Sequence, residues 1–387
     1  MQTIVITANT GWNLYNFRYN LIKTLIKHYK VVIIAPFDEY IEKLKQLGCE
    51  CYNIYIDKKG VNPFHDIKTI FQYYKLYKKI KPDLSIHFTI KPNIYGSLVC
   101  GLLNIPAINN VTGLGSAFIA DNFVTKIVIF LYKITLRNTF VFFHNCVDRR
   151  LFLRLKLVTK QASQSIPGSG VDLEFFKPVS YEKKDNIFRF LLIARLIWDK
   201  GIGEYVKAAE VIKQKYPNTE FLLIGEMNSE NPKAIPSSKI YEWQEKNIIK
   251  YLGTFKDVRP EIAKADCIVM PSYREGISKV TLEALAMAKP VIVTNVPGCK
   301  ELVKHNINGY ICESKNYKDL ADKMESMLNL SEEKRKEMGK NSREIAKLFD
   351  EKTVIYKYLK IIECILFHKM SDLHKNKIMS KCKEKMV

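Results

Sequence analysis

The chain has 387 residues, of which 47% are apolar and 26% are charged, values that exclude a disordered chain and allow two domains with full cores. Its formal charge of +21 indicates a polyanionic partner, such as nucleic acid, an anionic membrane surface or phosphorylated substrates. Nine cysteines without a C-x-x-C pair argue against a disulfide framework or a zinc site and favour free thiols in a reducing cytoplasm.

The amino-terminal sequence MQTIVITANTGWN reads as a strand followed by a polar turn. It lacks the basic stretch and the long apolar stretch of a signal peptide. The longest apolar run, residues 127–131, is too short to cross a bilayer. We therefore expect a cytoplasmic protein. Because of its positive charge, we also expect it to bind peripherally to the inner face of the cell membrane.

Short β-branched runs alternate with helical patterns, which predicts parallel βαβ architecture and an α/β fold. In the first half the predicted strands are 3–7, 31–35, 83–87, 107–110 and 140–143. Predicted helices include 17–28 and 64–79.

Residues 167–178, PGSGVDLEFFKP, read as a linker, after which the pattern restarts. The strands predicted there are 188–194, 220–224, 249–252, 267–270 and 291–294, with a helix at 202–215. We expect two similar domains, 1–172 and 173–350, with a cleft between them at the carboxyl ends of the strands. A helix at 351–367 and a Lys-rich tail at 368–387 follow, and the composition of the tail favours disorder over a membrane contact.

The segment MPSYREGISKVTLEALAMAKPVI, residues 270–292, carries two carboxylates on either side of a predicted helix start. Glu275 lies in the loop after an apolar strand, and Glu283 lies in the first turns of a helix that begins near Lys279. The start of a helix attracts anions such as phosphate, whereas carboxylates accept hydrogen bonds from sugar hydroxyls. This combination predicts a nucleotide-sugar site.

Two cations follow the predicted strand FRFLLIAR. Arg195 and Lys200 lie just past its carboxyl end, where they can clamp a diphosphate, the Arg through two parallel hydrogen bonds and the Lys as a point charge. An ordinary basic loop would explain this pair taken alone. The two downstream glutamates favour the diphosphate site.

Together these motifs resemble the donor half of the family-4 glycosyltransferases. The resemblance is carried by Arg195 and Lys200, GSGVDLEFF, YLGTFKDV, PSYREGISKVTLEALAMAKPVI with its E-x7-E spacing, and GCKELVKHNINGYI. It extends to about residue 366. It implies the GT-B fold, in which two Rossmann-like domains face each other across a cleft and the last helix, here 351–367, crosses back to the first domain. It also implies transfer of a hexosyl group with retention of the anomeric configuration.

The resemblance implies roles for individual residues of the donor site. Arg195 and Lys200 would neutralise the diphosphate and the charge on the leaving group, and with Glu275 they form the catalytic set. Glu275 would hold hydroxyls of the donor sugar, and Glu283 the ribose. The other implied donor contacts are Gly225, Glu226, Gly276, Ile277, Ser278, Lys279, Val280 and Thr281. Two residues depart from the family pattern. Ser278 stands where Pro or Gly is frequent, and Ala288 stands where Gly is frequent. Both are small enough to preserve the close packing.

No D-x-D sequence occurs in the chain, so the metal-clamped donor site of the other large glycosyltransferase fold lacks its ligands. Cationic side chains and a helix start can replace the metal. We expect no cofactor and no requirement for Mg²⁺ or Mn²⁺.

The first domain is expected to bind the acceptor at the carboxyl ends of its strands. The candidate residues are Gly11, Asn13, Asn16, Arg18, His87, Lys91, Asn93, Thr112 and Gly113, with Gly115 in the last of these segments. For Asn16 a helix N-cap is an alternative, and Arg18 would then simply be exposed. These segments resemble the subgroup that extends sugars on polyprenyl-diphosphate carriers in bacterial O-antigen, capsule or N-glycan assembly, above all α-1,3-N-acetylgalactosaminyltransferases. That likeness implies a UDP-sugar donor and a lipid-linked saccharide acceptor.

Residues 123–160 add a physical reason for a lipid acceptor, because eight basic residues there accompany a single acid, Asp148. Apolar residues such as Val128, Phe130, Leu131 and Tyr132 are interleaved. The basic residues are Lys126, Lys133, Arg137, Arg149, Arg150, Arg154, Lys156 and Lys160. Basic amphipathic stretches lie on anionic membranes, although a core helix with a solvated basic face fits the same pattern.

Other functions fit parts of the sequence. A nucleotide-sugar epimerase can share the GT-B architecture, and a transferase with another donor or acceptor would show the same motifs. The E-x7-E loop and the basic segment favour a transferase over the epimerase. Charge alone suits a nucleic-acid-binding protein, yet no RNA or DNA module is present in the sequence and we expect no such partner. A NAD-dependent oxidoreductase would carry G-x-G-x-x-G after the first strand, which this sequence does not.

Overall fold

A computed structural model of the chain describes residues 1–57, 63–114, 123–227 and 231–371. The chain divides into two compact units. The first comprises residues 1–169 and the chain from Thr353 onward, and the second comprises residues 170–352. Sequence reasoning placed this division at residue 172.

The first unit is built on a parallel sheet with the strand order β3-β2-β1-β4-β5-β6-β7. The strands are β1 (Thr3–Thr7), β2 (Lys30–Ala35), β3 (Glu50–Asn53), β4 (Leu84–Phe88), β5 (Ala107–Val111), β6 (Phe140–Phe143) and β7 (Ser163–Ser165). The five central strands were predicted to within a residue. The edge strands β3 and β7 were not predicted. A strand at the edge of a sheet is less buried than a central strand, so it does not need a continuous apolar run.

Helices cover both faces of this sheet. They are α1 (Gly11–Leu25), α2 (Ile41–Gln46), α3 (Pro63–Ile80), α4 (Ser97–Leu103), α5 (Phe123–Thr135) and α6 (Cys146–Arg154). Helices α1 and α2 pack on one face and α3 to α6 on the other. The prediction for α1 was wrong at its start, since Thr10 caps the helix by accepting a hydrogen bond from the Asn13 N–H at 3.0 Å. Asn16 is therefore no N-cap, and its amide donates to the Trp12 carbonyl.

The second unit repeats the plan with the strand order β10-β9-β8-β11-β12-β13. The strands are β8 (Phe188–Ile193), β9 (Thr219–Ile224), β10 (Lys250–Tyr251), β11 (Cys267–Met270), β12 (Val291–Thr294) and β13 (Gly309–Cys312). The helices are α7 (Ile202–Lys215), α8 (Ser237–Glu245), α9 (Arg259–Lys264), α10 (Lys279–Ala286), α11 (Tyr317–Leu328) and α12 (Glu332–Lys347). All strands except β13 had been predicted, and the α/β class is confirmed.

The last helix, α13 (Glu351–Ser371), contains the predicted helix 351–367 and joins the core of the first unit. Val354, Tyr358, Ile361 and Ile365 are buried there, and the Tyr358 hydroxyl donates to the Asn110 side chain. The predicted basic tail lies outside the described residues from position 372 onward. Within the described residues, no helix combines the length and the apolar character needed to cross a membrane.

In each sheet the strand order reverses at one point. The reversal lies between β1 and β4 in the first unit and between β8 and β11 in the second. In open parallel sheets, ligands bind beyond the carboxyl ends of the strands at such a reversal. The two reversals therefore mark where each unit would hold a ligand.

Candidate active site

The predicted donor residues meet at the strand reversal of the second unit. Arg195 and Lys200 follow β8, and Glu275 follows β11. Because β8 and β11 pair with each other, through Cys267 and Phe190, the loops after them lie side by side. The Tyr273 N–H donates to the Asp199 carbonyl at 2.9 Å and ties the two loops together.

The ammonium group of Lys200 forms a salt bridge with the carboxylate of Glu275. Both side chains are largely buried, with 16% and 15% of their surface exposed. Arg195, in contrast, is exposed and forms no ion pair with the described residues. The structure thus joins two of the three predicted catalytic residues and leaves the third at the surface of the same loop.

The loop that carries Glu275 is held by the turn after β12. The Glu275 N–H donates to the Pro297 carbonyl at 3.1 Å, and the Ser278 N–H donates to the Gly298 carbonyl at 2.9 Å. Gly298 has φ +84°, and a Cβ there would lie 2.4 Å from the Glu275 carbonyl oxygen. Only glycine fits this position. Sequence reasoning missed Gly298, although its Pro-Gly pair signals a turn.

Helix α10 begins directly after this loop. Ser278 is its N-cap and accepts from the Thr281 N–H at 3.3 Å and from the Thr281 hydroxyl at 2.8 Å. Ile277 and Val280 pack against the core of the second unit. Their side chains therefore face inward, and contact of these two residues with a ligand would come from their backbone.

Glu283 lies on α10 with only 8% of its surface exposed. Burial raises the pKa of its carboxyl to about 7, with Asp257 adding to the shift and Lys279 opposing it. Near neutral pH this carboxyl is therefore divided between its protonated and ionised forms. In its ionised form this carboxylate can accept hydrogen bonds from two hydroxyls, which is the role at the ribose that the family resemblance implies.

Gly225 directly follows β9, beside the same loops. A Cβ at Gly225 would lie 2.0 Å from the Ala194 carbonyl oxygen, so the glycine lets the two loops approach closely. Its own carbonyl accepts from the Tyr251 hydroxyl at 2.7 Å. The neighbouring Glu226 is exposed.

Ala288, after α10, has φ +56°. This left-handed conformation favours glycine and explains why glycine is frequent here in the family pattern. Alanine in place of glycine at position 288 therefore costs backbone strain energy, in addition to the small change in packing expected from the sequence.

Two of the predicted acceptor residues are interior, and neighbouring groups already satisfy their polar atoms, so they do not fit that role. His87 is fully buried, with its ring nitrogens bonded to Ser85 at 2.8 Å and Asn109 at 2.9 Å. Burial lowers the pKa of His87 to about 4, so the ring is neutral. Asn93 is also buried and donates to the Asn110 carbonyl at 2.8 Å. Both residues hold the ends of β4 and β5 in place.

The other acceptor candidates differ in how they are held. Lys91 pairs with Asp66 at 2.7 Å, so its charge is neutralised within the first unit. A Cβ at Gly11 would lie 2.4 Å from the Asp38 carboxylate. Thr112 and Gly113 are half-buried at the end of the described segment, and Gly115 lies outside it.

Arg18 is neither exposed nor paired with a carboxylate of the described residues. It is 4% exposed, its guanidinium lies 4.3 Å from the centre of the Phe88 ring, and Nη2 lies 3.3 Å from Nε2 of His144. The alternative that Arg18 is a plain surface residue is wrong.

The basic segment 123–160 is not one amphipathic stretch. It runs through α5, the buried strand β6 and α6. Tyr132 is buried, and Arg149 donates to the Ser163 carbonyl at 2.8 Å. Apolar and basic side chains are exposed together on α5, where Phe130 is 61% exposed and Lys126 and Lys133 are exposed, and Arg137 is exposed just after the helix.

Among the described residues, no three His, Cys, Asp or Glu side chains gather as metal ligands would.

Comparisons with known proteins agree with this geometry. The sequence model for "Glycosyl transferases group 1" matches residues 174–345, and that for "Glycosyl transferase 4-like" matches residues 4–145. The chain is 30% identical, over 93% of its length and 98% of the relative, to the N,N'-diacetylbacillosaminyl-diphospho-undecaprenol alpha-1,3-N-acetylgalactosaminyltransferase of Campylobacter jejuni. It is 29% identical, over 66% of its length and 68% of the relative, to the Escherichia coli UDP-Gal:alpha-D-GlcNAc-diphosphoundecaprenol alpha-1,3-galactosyltransferase.

Solved structures share the fold. A glycosyltransferase from Rickettsia africae superposes with a TM-score of 0.77 at 20% identity, over 94% of this chain and 98% of that one. Anabaena HepE in complex with UDP superposes with a TM-score of 0.75 at 17% identity, over 94% and 100%.

Proposed function

From the premise that this chain belongs to the family-4 glycosyltransferases, hexosyltransferases of the GT-B fold, we propose what it transfers and to which acceptor. The donor is a UDP-linked N-acetylhexosamine such as UDP-GalNAc, and the acceptor is a saccharide linked to polyprenyl diphosphate. The reaction retains the anomeric configuration and serves bacterial surface glycan assembly. The observation that carries the proposal is the Lys200–Glu275 pair, held at the strand reversal directly before α10.

The Lys200–Glu275 pair supplies the two kinds of contact that a sugar diphosphate needs. Lys200 would neutralise the charge that develops on the diphosphate as the bond to the anomeric carbon breaks. Glu275, freed from Lys200 by the ligand, would accept hydrogen bonds from sugar hydroxyls. Arg195 is free to turn toward the phosphates. The acceptor hydroxyl attacks on the face from which the diphosphate leaves, and the departing phosphate oxygen takes its proton.

The substrates are supported by the names of the relatives. The Campylobacter jejuni and Escherichia coli enzymes act on sugars linked to diphospho-undecaprenol, and HepE was solved with UDP. The match to the first of these spans nearly the whole chain, including the first unit, where the acceptor is expected.

The test is transfer by the purified full chain from a panel of UDP- and GDP-sugars to short polyprenyl-diphosphate-linked saccharides. We expect a product one N-acetylhexosamine heavier, formed from a UDP-sugar, with the new linkage in the α configuration by NMR. Conversion of the UDP-sugar without any acceptor would indicate an epimerase and refute the proposal.

No divalent metal takes part in this proposal, because Lys200, Arg195 and the start of α10 supply the positive charge at the diphosphate. We expect the rate of transfer in excess chelator to stay within about twofold of the rate with added Mg²⁺. A D-x-D glycosyltransferase assayed in the same buffers is the positive control. Complete loss of turnover in chelator, restored by Mg²⁺ or Mn²⁺, would contradict the expectation.

We also propose that the first unit contacts the cytoplasmic side of the membrane, where a lipid-linked acceptor would be embedded. We name the contacting surface the α3–α5 face, since α3 and α5 pack on the same side of the sheet with α4 between them. Its exposed apolar residues are Phe64, Ile67, Phe71, Leu102, Ile127, Phe130 and Ile134. Exposed lysines and an arginine flank them, which suits an anionic bilayer.

Reversing the charges on α5 and just after it should release the protein from anionic vesicles. Each Lys or Arg near such a surface contributes about 1 kcal/mol, so the triple variant Lys126→Glu/Lys133→Glu/Arg137→Glu should bind at least about a hundredfold more weakly. Flotation with phosphatidylglycerol vesicles measures this. The matched control is Lys334→Glu/Lys336→Glu/Lys340→Glu on α12, which should float like the unchanged protein. Equal flotation of the two triple variants would refute the proposed membrane contact.

A further inference from the structure

Among the described residues of the first unit, several buried side-chain polar atoms have no hydrogen-bond partner. Within the described residues they include Asn13 Oδ1, Arg18 Nε and Thr89 Oγ1. These three side chains follow β1 and β4, the two strands between which the strand order reverses. Thr7 of β1 lies opposite His87 of β4, so the residues that follow both strands emerge at the same edge. Native proteins leave few such groups unpaired, and a group of them needs an explanation.

Thr89 has a second unusual property. Its φ of +73° places a β-branched residue in the left-handed region, where the branched side chain clashes with its own backbone. Its carbonyl is fixed, since it accepts from the Asn93 N–H at 3.0 Å. Strained conformations of this kind persist mainly where the surrounding structure uses them. Here the strain holds an unpaired hydroxyl at the edge of the sheet.

Arg18 brings an uncompensated charge to the same edge. Its guanidinium lies against Phe88, the residue directly before Thr89, and reaches His144 after β6. It therefore extends across the carboxyl ends of β4 and β5. His144 is buried, and burial and the neighbouring Arg18 both lower its pKa, which favours the neutral ring beside Arg18. No carboxylate among the described residues pairs with Arg18. A buried cation without a counter-charge is costly, and an anionic ligand would remove that cost.

We infer that Thr89, Arg18 and Asn13 bind the acceptor, with Arg18 at its diphosphate and Thr89 and Asn13 at hydroxyls of the adjoining sugar. The unpaired set holds a cationic donor, a hydroxyl and an amide oxygen, which matches a saccharide joined to a phosphate. The inference rests on the proposed function and gives its acceptor a position in the first unit. Thr89 was not among the residues that the sequence singled out.

The test separates strain from binding. Thr89→Gly removes the strain and the hydroxyl together, whereas Thr89→Ser keeps the hydroxyl. Lys81→Gly is the matched control, since Lys81 also has positive φ, +50°, and lies before β4 at the opposite end of the strand. Both glycine variants should raise the melting temperature by about 2–4 °C. Only Thr89→Gly should raise the KM for a short prenyl-diphosphate-linked saccharide, by about tenfold, with the KM for the UDP-sugar unchanged.

A second pair of acceptors isolates the role of Arg18. The unchanged enzyme should prefer the diphosphate-linked saccharide over the same saccharide as a methyl glycoside, and Arg18→Gln should lower that preference by at least about tenfold. Its melting temperature and UDP affinity report whether the variant is folded. Should Arg18→Gln fail to fold, the Thr89 series decides. An unchanged acceptor KM in Thr89→Gly, or the same loss in Thr89→Ser, overturns the inference.

Failure of the proposed function gives a different result. If the unchanged enzyme transfers nothing to the diphosphate-linked saccharide but is stabilised by it, and Thr89→Gly loses that thermal shift, the site stands and the reaction is wrong. If transfer proceeds and Thr89→Gly has a normal acceptor KM, the reaction stands and the site is wrong.

Discussion

Replacing Glu275 by Ala should lower kcat by about a thousandfold while the affinity for UDP changes by less than about threefold. UDP has no hexose, so a carboxylate that holds the donor sugar contributes nothing to UDP binding. The loss appears in kcat because the hydrogen bonds to the sugar position its anomeric carbon for attack. Steady-state transfer and calorimetric titration with UDP measure the two quantities.

The same substitution leaves Lys200 without its partner, so the control must break a comparable ion pair elsewhere. Glu261→Ala does so, since Glu261 pairs with Lys264 at 2.7 Å and is 12% exposed, much like Glu275. It should keep full turnover. Near-normal turnover in Glu275→Ala would remove that residue from the site.

Replacing either cationic residue should affect both nucleotide binding and turnover. Lys200→Ala and Arg195→Ala should each weaken UDP binding and lower kcat, because a charge on the diphosphate acts on both the bound and the departing nucleotide. The Lys200 variant should show the larger loss, since Lys200 is already held beside Glu275 whereas Arg195 is exposed.

The local arrangement of the second unit's candidate site could be predicted from the sequence because its elements are close together in the chain. Glu275, the Ser278 cap and Glu283 lie within one loop and the helix that follows it, and spacing alone positions them. The contact between Lys200 and Glu275 needed the sheet, since 75 residues separate them and only the pairing of β8 with β11 brings their loops together. Gly298 was missed for the same reason, because its role depends on a loop that precedes it in the chain.

The candidate residues of the first unit were harder to predict because a residue at a strand end faces either the solvent or the layer beneath. His87 and Asn93 looked like ligands by type, yet both point into the core, where neighbouring side chains satisfy them. Arg18 was predicted to bind the acceptor, with an exposed helix residue as the alternative, and the structure shows that it is buried. The positive φ of Thr89 leaves no trace in the sequence, since the residue type argues for an ordinary strand.

Glu283→Gln should stabilise the protein above pH 7 and weaken nucleotide binding there. Burial raises the pKa of Glu283 from its ordinary value of 4.5 to about 7. Between these values the folded state holds a proton that the unfolded state has released, so the free energy of unfolding falls as the pH rises from 4.5 through 7. The shift corresponds to about 3 kcal/mol, present as a cost above pH 7 and absent below pH 4.5. A neutral amide should remove it.

The same substitution should lower the affinity for UDP while it raises stability, so the two effects can be told apart. Hydrogen bonds from ribose hydroxyls to a charged acceptor are worth more than those to an amide, so Glu283→Gln should bind UDP about tenfold more weakly at pH 8. At pH 5 the two proteins should bind alike, because the unchanged carboxyl is then protonated. Melting temperature and UDP titration across pH 5–8 measure both effects, with the exposed Glu245→Gln as control. A variant that gains stability and keeps full affinity at pH 8 would show that the buried carboxyl serves the fold and not the nucleotide.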